Sequence, residues 1–169
     1  MKVKPFNLVQ ELFHLDGDKL QLPKATMKHL VPIYNDTSKE VLLMFGRQTH
    51  KSTTLAINNT YPGALIPHYK SLYVAPTGNQ VSVYSSDKID PLLKHSPIIR
   101  KKFITTKTAY QVYYKEFANG SKHYFRSMFL SPDSIRGISS DFTMFDEVQD
   151  LIYDHIPVAQ QCMSHSVEH

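Results

Sequence analysis

Three short apolar runs constrain this chain more than any other feature: "VLLMF" (residues 41–45), "SLYVA" (71–75) and "FTMF" (142–145). Each has the length of a strand, and none shows a regular polar alternation. Such runs suit strands covered on both faces, as in a parallel sheet. Between the first two, "KSTTLAINNTY" (51–61) is helix-compatible and is expected to end at Pro62-Gly63. After the second, Pro76-Thr77-Gly78 stops the strand, and "NQVSVYSSDKI" (79–89) is again helix-compatible. Asp90-Pro91 and Ser96-Pro97 each set a capping residue before a proline, which predicts two further helix starts. Strands alternating with helices predict an α/β domain, with a mainly parallel sheet flanked by helices.

One stretch breaks the alternation. "AYQVYYKEFANGSKHYFRSMFL" (109–130) is rich in Tyr, Phe and Val around Asn119-Gly120. That dipeptide favours a type I′ turn, so the stretch predicts an antiparallel hairpin at the sheet edge or just before the third run. The end of the chain reads as helical around Pro157, and residues 1–25 as a leading helix or arm.

The 169 residues fit one domain, read as residues 1–169. Apolar content of 41% with 20% charged residues excludes a disordered chain. The net charge of +4 permits an acidic partner without demanding one. Cys162 is the single cysteine, so neither an internal disulfide nor a Cys/His zinc spacing is available, and a reducing compartment is expected. "MKVKPFNLVQ" lacks the apolar core of a signal peptide. No run approaches the ~18 apolar residues of a membrane span, so no membrane partner is expected.

The segment after the first run, "GRQTHKST" (46–53), resembles a damaged phosphate loop. Lys51-Ser52-Thr53 stands where G-x-x-x-x-G-K-[ST] keeps its lysine and hydroxyl, but Phe45 and His50 replace both glycines. A strand running in and a helix running out would aim backbone N–H groups and the helix dipole at phosphates. Lys51 would then reach the β- and γ-phosphates, and the Ser52 hydroxyl would coordinate Mg²⁺. The alternative is an ordinary surface lysine in a strand-to-helix turn. The third run bears on that choice, because Asp146-Glu147 follows it directly, 95 residues beyond Lys51. Ligands of open α/β sheets bind at the carboxyl ends of strands. A Walker B pair has this layout: Asp146 holding Mg²⁺ through water, Glu147 orienting the attacking water.

In their order, "GRQTHKST", "SLYVAPTGNQ", the hairpin and "DSIRGISSDFTMFDEVQD" resemble the N-terminal ATPase domain of bacteriophage terminase large subunits, the DNA-packaging motors of tailed phages. The resemblance covers roughly residues 20–165 and implies a P-loop NTPase-type sheet with the hairpin before the Walker B strand. It implies that Mg·ATP is hydrolysed to package viral double-stranded DNA. Gly46, Arg47, Gln48, Thr49, His50, Lys51, Ser52 and Thr53 would bind ATP, with Arg47 near the γ-phosphate. Ser52 and Asp146 would hold Mg²⁺, and Glu147, with Arg47, would act in catalysis. Gln149 follows the pair as a coupling glutamine does, and Arg136 matches the arginine of the family's "RG" motif. Implied partners are the portal protein, the small terminase subunit and further copies of the chain. The implied place is the cytoplasm of the infected host, transiently docked on the procapsid. A DExx-box helicase or translocase fragment shares these motifs, and a non-hydrolysing scaffold with a degraded site is the reading from another class. His50 in place of glycine crowds the loop. The chain also stops before the family's coupling motif and nuclease domain, so an incomplete ATPase domain without the nuclease, with little turnover of its own, is expected.

Overall fold

The computed structural model describes residues 5–22, 27–46, 49–105, 107–128 and 131–163. Helix α1 (Pro5–Leu12) leads into a minimal hairpin, β1 (His14–Leu15) and β2 (Asp18–Lys19). Helix α2 (Val31–Tyr34) precedes the long α3 (Lys51–Leu65) and then strand β3 (Lys70–Ala75). Next come α4 (Gly78–Val83), a π-helical stretch Tyr84–Ile89, α5 (Asp90–His95) and α6 (Pro97–Phe103). Strands β4 (Tyr114–Glu116), β5 (Lys122–Ser127) and β6 (Phe142–Phe145) follow, and α7 (Ile156–Gln161) closes the described chain.

Among the described residues the main sheet has the order β4-β5-β3-β6. β3 runs parallel to both neighbours, pairing Tyr73 with Phe125 and with Met144, and β4 is antiparallel to β5. The result is an α/β fold with a mixed, mostly parallel sheet. β3 is buried on both faces, which is why it reads as an unbroken apolar run. Tyr73 and Ala75 join the core formed with α1, α3 and α5, while Leu72 and Val74 pack with Met128, Ile135, Ala159 and Cys162 on the α7 side.

Four expectations need correction. Residues 41–45 do not form a sheet strand: Leu42 is 77% and Met44 89% exposed, while Leu43 and Phe45 are half-buried against the core. Burying alternate residues is the period of extended chain lying on a core edge, with one face open. The first helix does not stop at Pro62-Gly63 but runs to Leu65. Proline removes one donor, yet Pro62 O still accepts from Ile66 N at 2.8 Å, and Gly63 lets the helix lie against the His123 ring. Asp90-Pro91 opens α5, but without a preceding break and without Asp90 acting as its cap. The π-helical stretch carries the chain through Asp90 in right-handed helical backbone (φ −58°, ψ −46°), so residues 78–95 form one helical run. Asp90 spends its carboxylate on Lys115 instead, at 2.6 Å. Ser96 does precede α6, but its hydroxyl accepts from His14 N (2.9 Å) rather than capping the helix.

The fourth correction is the turn at Asn119-Gly120. Gly120 takes φ +81° and Gly120 N donates to Phe117 O at 2.9 Å, while Asn119 keeps negative φ. A type I′ turn needs positive φ at both central residues. The observed geometry is a type I turn followed by a left-handed glycine. His68 explains the glycine's second constraint, because a Cβ on Gly120 would lie 2.5 Å from His68 Nδ1.

Candidate functional site

The carboxyl ends of β3 and β6 and the first turn of α3 meet at one place. β6 ends at Phe145, and Asp146 N is still in ladder register, donating to Val74 O at 2.9 Å. The ladder therefore aims the Asp146 side chain from a rigid element. Glu147 then adopts left-handed backbone (φ 50°, ψ 50°), a conformation sparsely populated by residues with a Cβ. That turn swings its carboxylate toward α3.

Lys51, the first residue of α3, reaches across to both carboxylates. Its Nζ lies 2.5 Å from Glu147 Oε1 and 3.3 Å from Asp146 Oδ1. Burial works against the charged lysine, but the bond to Glu147 and the charge of Asp146 outweigh it and hold Lys51 above its ordinary pKa. Glu147 is held below the usual carboxylate range, first by Lys51 and then by Gln149, whose Nε2 donates to Oε2 at 2.5 Å. The pair is ionised at neutral pH.

His50 precedes Lys51 at φ 62°, ψ 20°, the left-handed conformation that glycine ordinarily supplies. Thr54 N donates to His50 O at 2.9 Å, so the residue starts the helix despite its backbone. Upstream, Thr49 Oγ1 donates to Gly46 O at 2.8 Å, and His29 Nε2 lies 3.3 Å from Thr49 O. Thr53 is half-buried in the first turn of α3. Arg47 and Gln48 lie outside the described residues. Arg136 is exposed and pairs with Asp133 at 3.0 Å, and the structure does not bring it to the carboxylates.

A cavity of about 300 Å³ opens beside the carboxylates. Ser52, Asp146 and Glu147 line it together with Asn79, Tyr84 and Lys88 of the 78–95 helical run. Thr77 and Gln80 form a reciprocal capping box that starts this run at the end of β3.

Tyr73 is a site residue that the reading of the apolar runs missed. Its hydroxyl donates to Asp146 Oδ2 at 3.0 Å, and its ring stacks on Tyr84 with centroids 3.8 Å apart and planes 2° from parallel. Burial first, and then Asp146, push its phenol far above the ordinary tyrosine value, so it remains a donor. A buried tyrosine usually needs a partner for its hydroxyl, and that was the available signal in "SLYVA".

Two neighbouring strand ends thus present an ionised lysine–carboxylate cluster, a nearby hydroxyl and an open cavity. Among the described residues no three His, Cys, Asp or Glu converge as a metal cluster. No described helix is long and apolar enough to cross a membrane. No curated protein matches the chain. Residues 31–157 match the family model of the phage terminase large subunit gpA, ATPase domain, and the chain belongs to that family.

Proposed function

We propose that this chain binds Mg·ATP at the Lys51–Asp146–Glu147 cluster and, in its working assembly, hydrolyses it to drive packaging of viral double-stranded DNA. The observation that carries this reading is the meeting of Lys51, at the start of α3, with both carboxylates at the end of β6. Family membership supplies the terminase ATPase class.

The donor set suits Mg²⁺. That ion is commonly held by one or two protein oxygens with phosphate oxygens and water completing its shell, so no dense cluster is required. Ser52 and Asp146, both lining the cavity, would hold it. Bound Mg²⁺ supplies neutralisation of charge on the phosphates. Lys51 donates to phosphate oxygens, exchanging its carboxylate partners for the triphosphate. Glu147, held ionised, accepts a hydrogen bond from the attacking water and orients it. Gln149 fixes the second oxygen of that carboxylate. Tyr73 holds the Asp146 oxygen that faces away from Lys51. Arg47, within the 46–53 loop segment of the sequence, is proposed to stabilise developing γ-phosphate charge.

Isothermal titration of Mg·ATP into the chain tests the reading. Binding by the parent and its loss in Lys51→Ala is the expected result. A parent that binds no nucleotide with or without Mg²⁺ favours a scaffold and overturns it.

A further inference from the structure

The positive charge of this chain is concentrated in one stretch. Residues 91–115 hold six of the 19 Lys and Arg and none of the 15 Asp and Glu, so the rest, with 13 against 15, is net acidic. Of these cations Lys115 is buried on Asp90, whereas Lys94, Arg100, Lys101 and Lys102 are exposed, with His95 beside them. Those four make no ion pair with a described residue. Asp90, the nearest carboxylate in sequence on the same helical run, is engaged by Lys115 at 2.6 Å. Tyr110 packs beside α5: Lys94 Nζ sits 5.2 Å over its ring. Ile99 is buried in the core, and the Arg100, Lys101 and Lys102 that follow it are exposed.

We propose that this α5–α6 face is the surface that grips the phosphate backbone of duplex DNA, without reading its sequence. The proposal rests on the packaging reading for the identity of the polyanion, and its chemistry rests on the face itself. Three successive helical cations are about 100° apart around the axis, so they fan outward and cannot converge on one small anion. A fan of separated charges matches a line of phosphates. Protein interfaces are depleted in lysine and built around aromatic anchors. Here three of the four exposed cations are lysines, and Ile98, 40% exposed, is the large apolar side chain among them. Single strands need aromatic platforms for their bases, whereas Tyr110 is already covered by Lys94. The face also belongs to the 78–95 helical run, whose Asn79 and Lys88 line the cavity at Asp146. One element therefore carries both the nucleotide cavity wall and part of the DNA surface.

The test is fluorescence anisotropy of a labelled mixed-sequence duplex against salt. The proteins are the parent, Lys101→Gln/Lys102→Gln, and Lys28→Gln/Lys39→Gln, which removes two exposed lysines elsewhere. The α6 pair is expected to weaken duplex binding more than about tenfold at about 0.1 M salt and to flatten the salt slope by about two. The control pair should stay within about threefold of the parent. Thermal melts and Mg·ATP titration on the same samples separate the readings. Duplex affinity and slope unchanged in the folded α6 variant overturn the surface and leave the ATP site standing. Equal losses in both variants reduce the effect to net charge and also overturn it. Tighter binding of polyglutamate or of the single strand than of the duplex overturns the choice of partner. Loss of ATP binding in the parent sinks the functional reading alone.

Discussion

Tyr73 Oη donates to Asp146 Oδ2 at 3.0 Å across the β3–β6 pair, while Asp146 Oδ1 receives Glu147 N at 3.1 Å and Lys51 Nζ at 3.3 Å. Both oxygens of one carboxylate are thus oriented by neighbours before any ligand arrives. Tyr73→Phe keeps the ring stack on Tyr84 and removes only the hydroxyl. Groups that orient metal ligands typically contribute 10- to 100-fold in metal affinity. The Mg²⁺ concentration needed for half-maximal ATP binding should therefore rise about tenfold, with about 1 kcal/mol lost in stability. A Mg²⁺ titration that overlays the parent would show that Tyr73 only packs.

Lys51→Ala and Glu147→Gln separate binding from turnover. Both side chains are about one-third exposed, so the ion pair contributes little to folding, below about 1 kcal/mol. Lys51→Ala should melt close to the parent yet lose Mg·ATP binding. Glu147→Gln should bind Mg·ATP at least as well, because Lys51 loses a charged competitor. Placed in a full-length motor that hydrolyses ATP, Glu147→Gln should abolish turnover. Turnover at the parental rate would remove Glu147 from the catalytic role.

The sequence made some of this legible and hid the rest for physical reasons. β3 was readable because a strand buried on both faces leaves an unbroken apolar run, and β6 because its large apolar residues stop abruptly at Asp146-Glu147. The carboxylate pair was readable because a strand end is where ligands meet such sheets. Residues 41–45 misled because apolarity says that a segment can be buried, not which strand it pairs with. Asp90-Pro91 misled because the π-helical stretch delivers the chain to α5 already in right-handed helical backbone, so the proline opens α5 without a break. Tyr73 was invisible as a site residue because an aromatic in a buried strand reads as packing, and its partner lies 73 residues away. His50 was read as a crowded glycine position, and the structure gives it the left-handed backbone of one.

Burial is answered differently by Asp90 and Lys115. Lys115 is 1% exposed, its Nζ bonds Asp90 Oδ1 at 2.6 Å and Gln111 O at 3.0 Å, and burial lowers its pKa despite Asp90. Removing the partner strands a buried cation. Asp90→Ala should therefore cost roughly 3–5 kcal/mol, and Lys115→Met, which leaves Asp90 nearer solvent, distinctly less. Urea unfolding of both variants checks the order, and the reverse order would show that Asp90, not Lys115, is the charge left stranded without its partner.

His123 gives a stability profile with a defined sign. It is fully buried, bonded through Nδ1 to Ser71 Oγ at 2.7 Å, and burial, helped by Lys115, lowers its pKa to about 3. Unfolded, it titrates near the ordinary value of 6.5. Between these values the unfolded chain binds the proton and the folded chain does not. Stability is therefore full above 6.5 and falls with pH toward 3, by about tenfold in the folding constant per pH unit. His123→Asn, which can keep a bond to Ser71 without titrating, should flatten the urea midpoint between about pH 4.5 and 6.5. A slope in that window equal to the parent's would assign it to other groups.

His50 already holds φ 62° in the described loop. The cost of left-handed backbone, about 1–2 kcal/mol for a residue with a Cβ, therefore falls on folding rather than on ligand binding. Glycine at this position removes that cost but frees the unfolded chain by a similar amount. His50→Gly should thus melt within a few degrees of the parent and bind ATP within about threefold of it. A β-branched residue is far less tolerant of positive φ. His50→Val should pull the start of α3 out of its left-handed entry, shift Lys51 away from Asp146 and Glu147, and weaken ATP binding about tenfold, equivalent to about 1.4 kcal/mol. Titrating both variants at pH 6 and pH 8 also tests for a direct imidazolium contact, because His50→Gly would then lose affinity most at pH 6. Valine binding as tightly as histidine would show that the backbone at residue 50 does not set the position of Lys51.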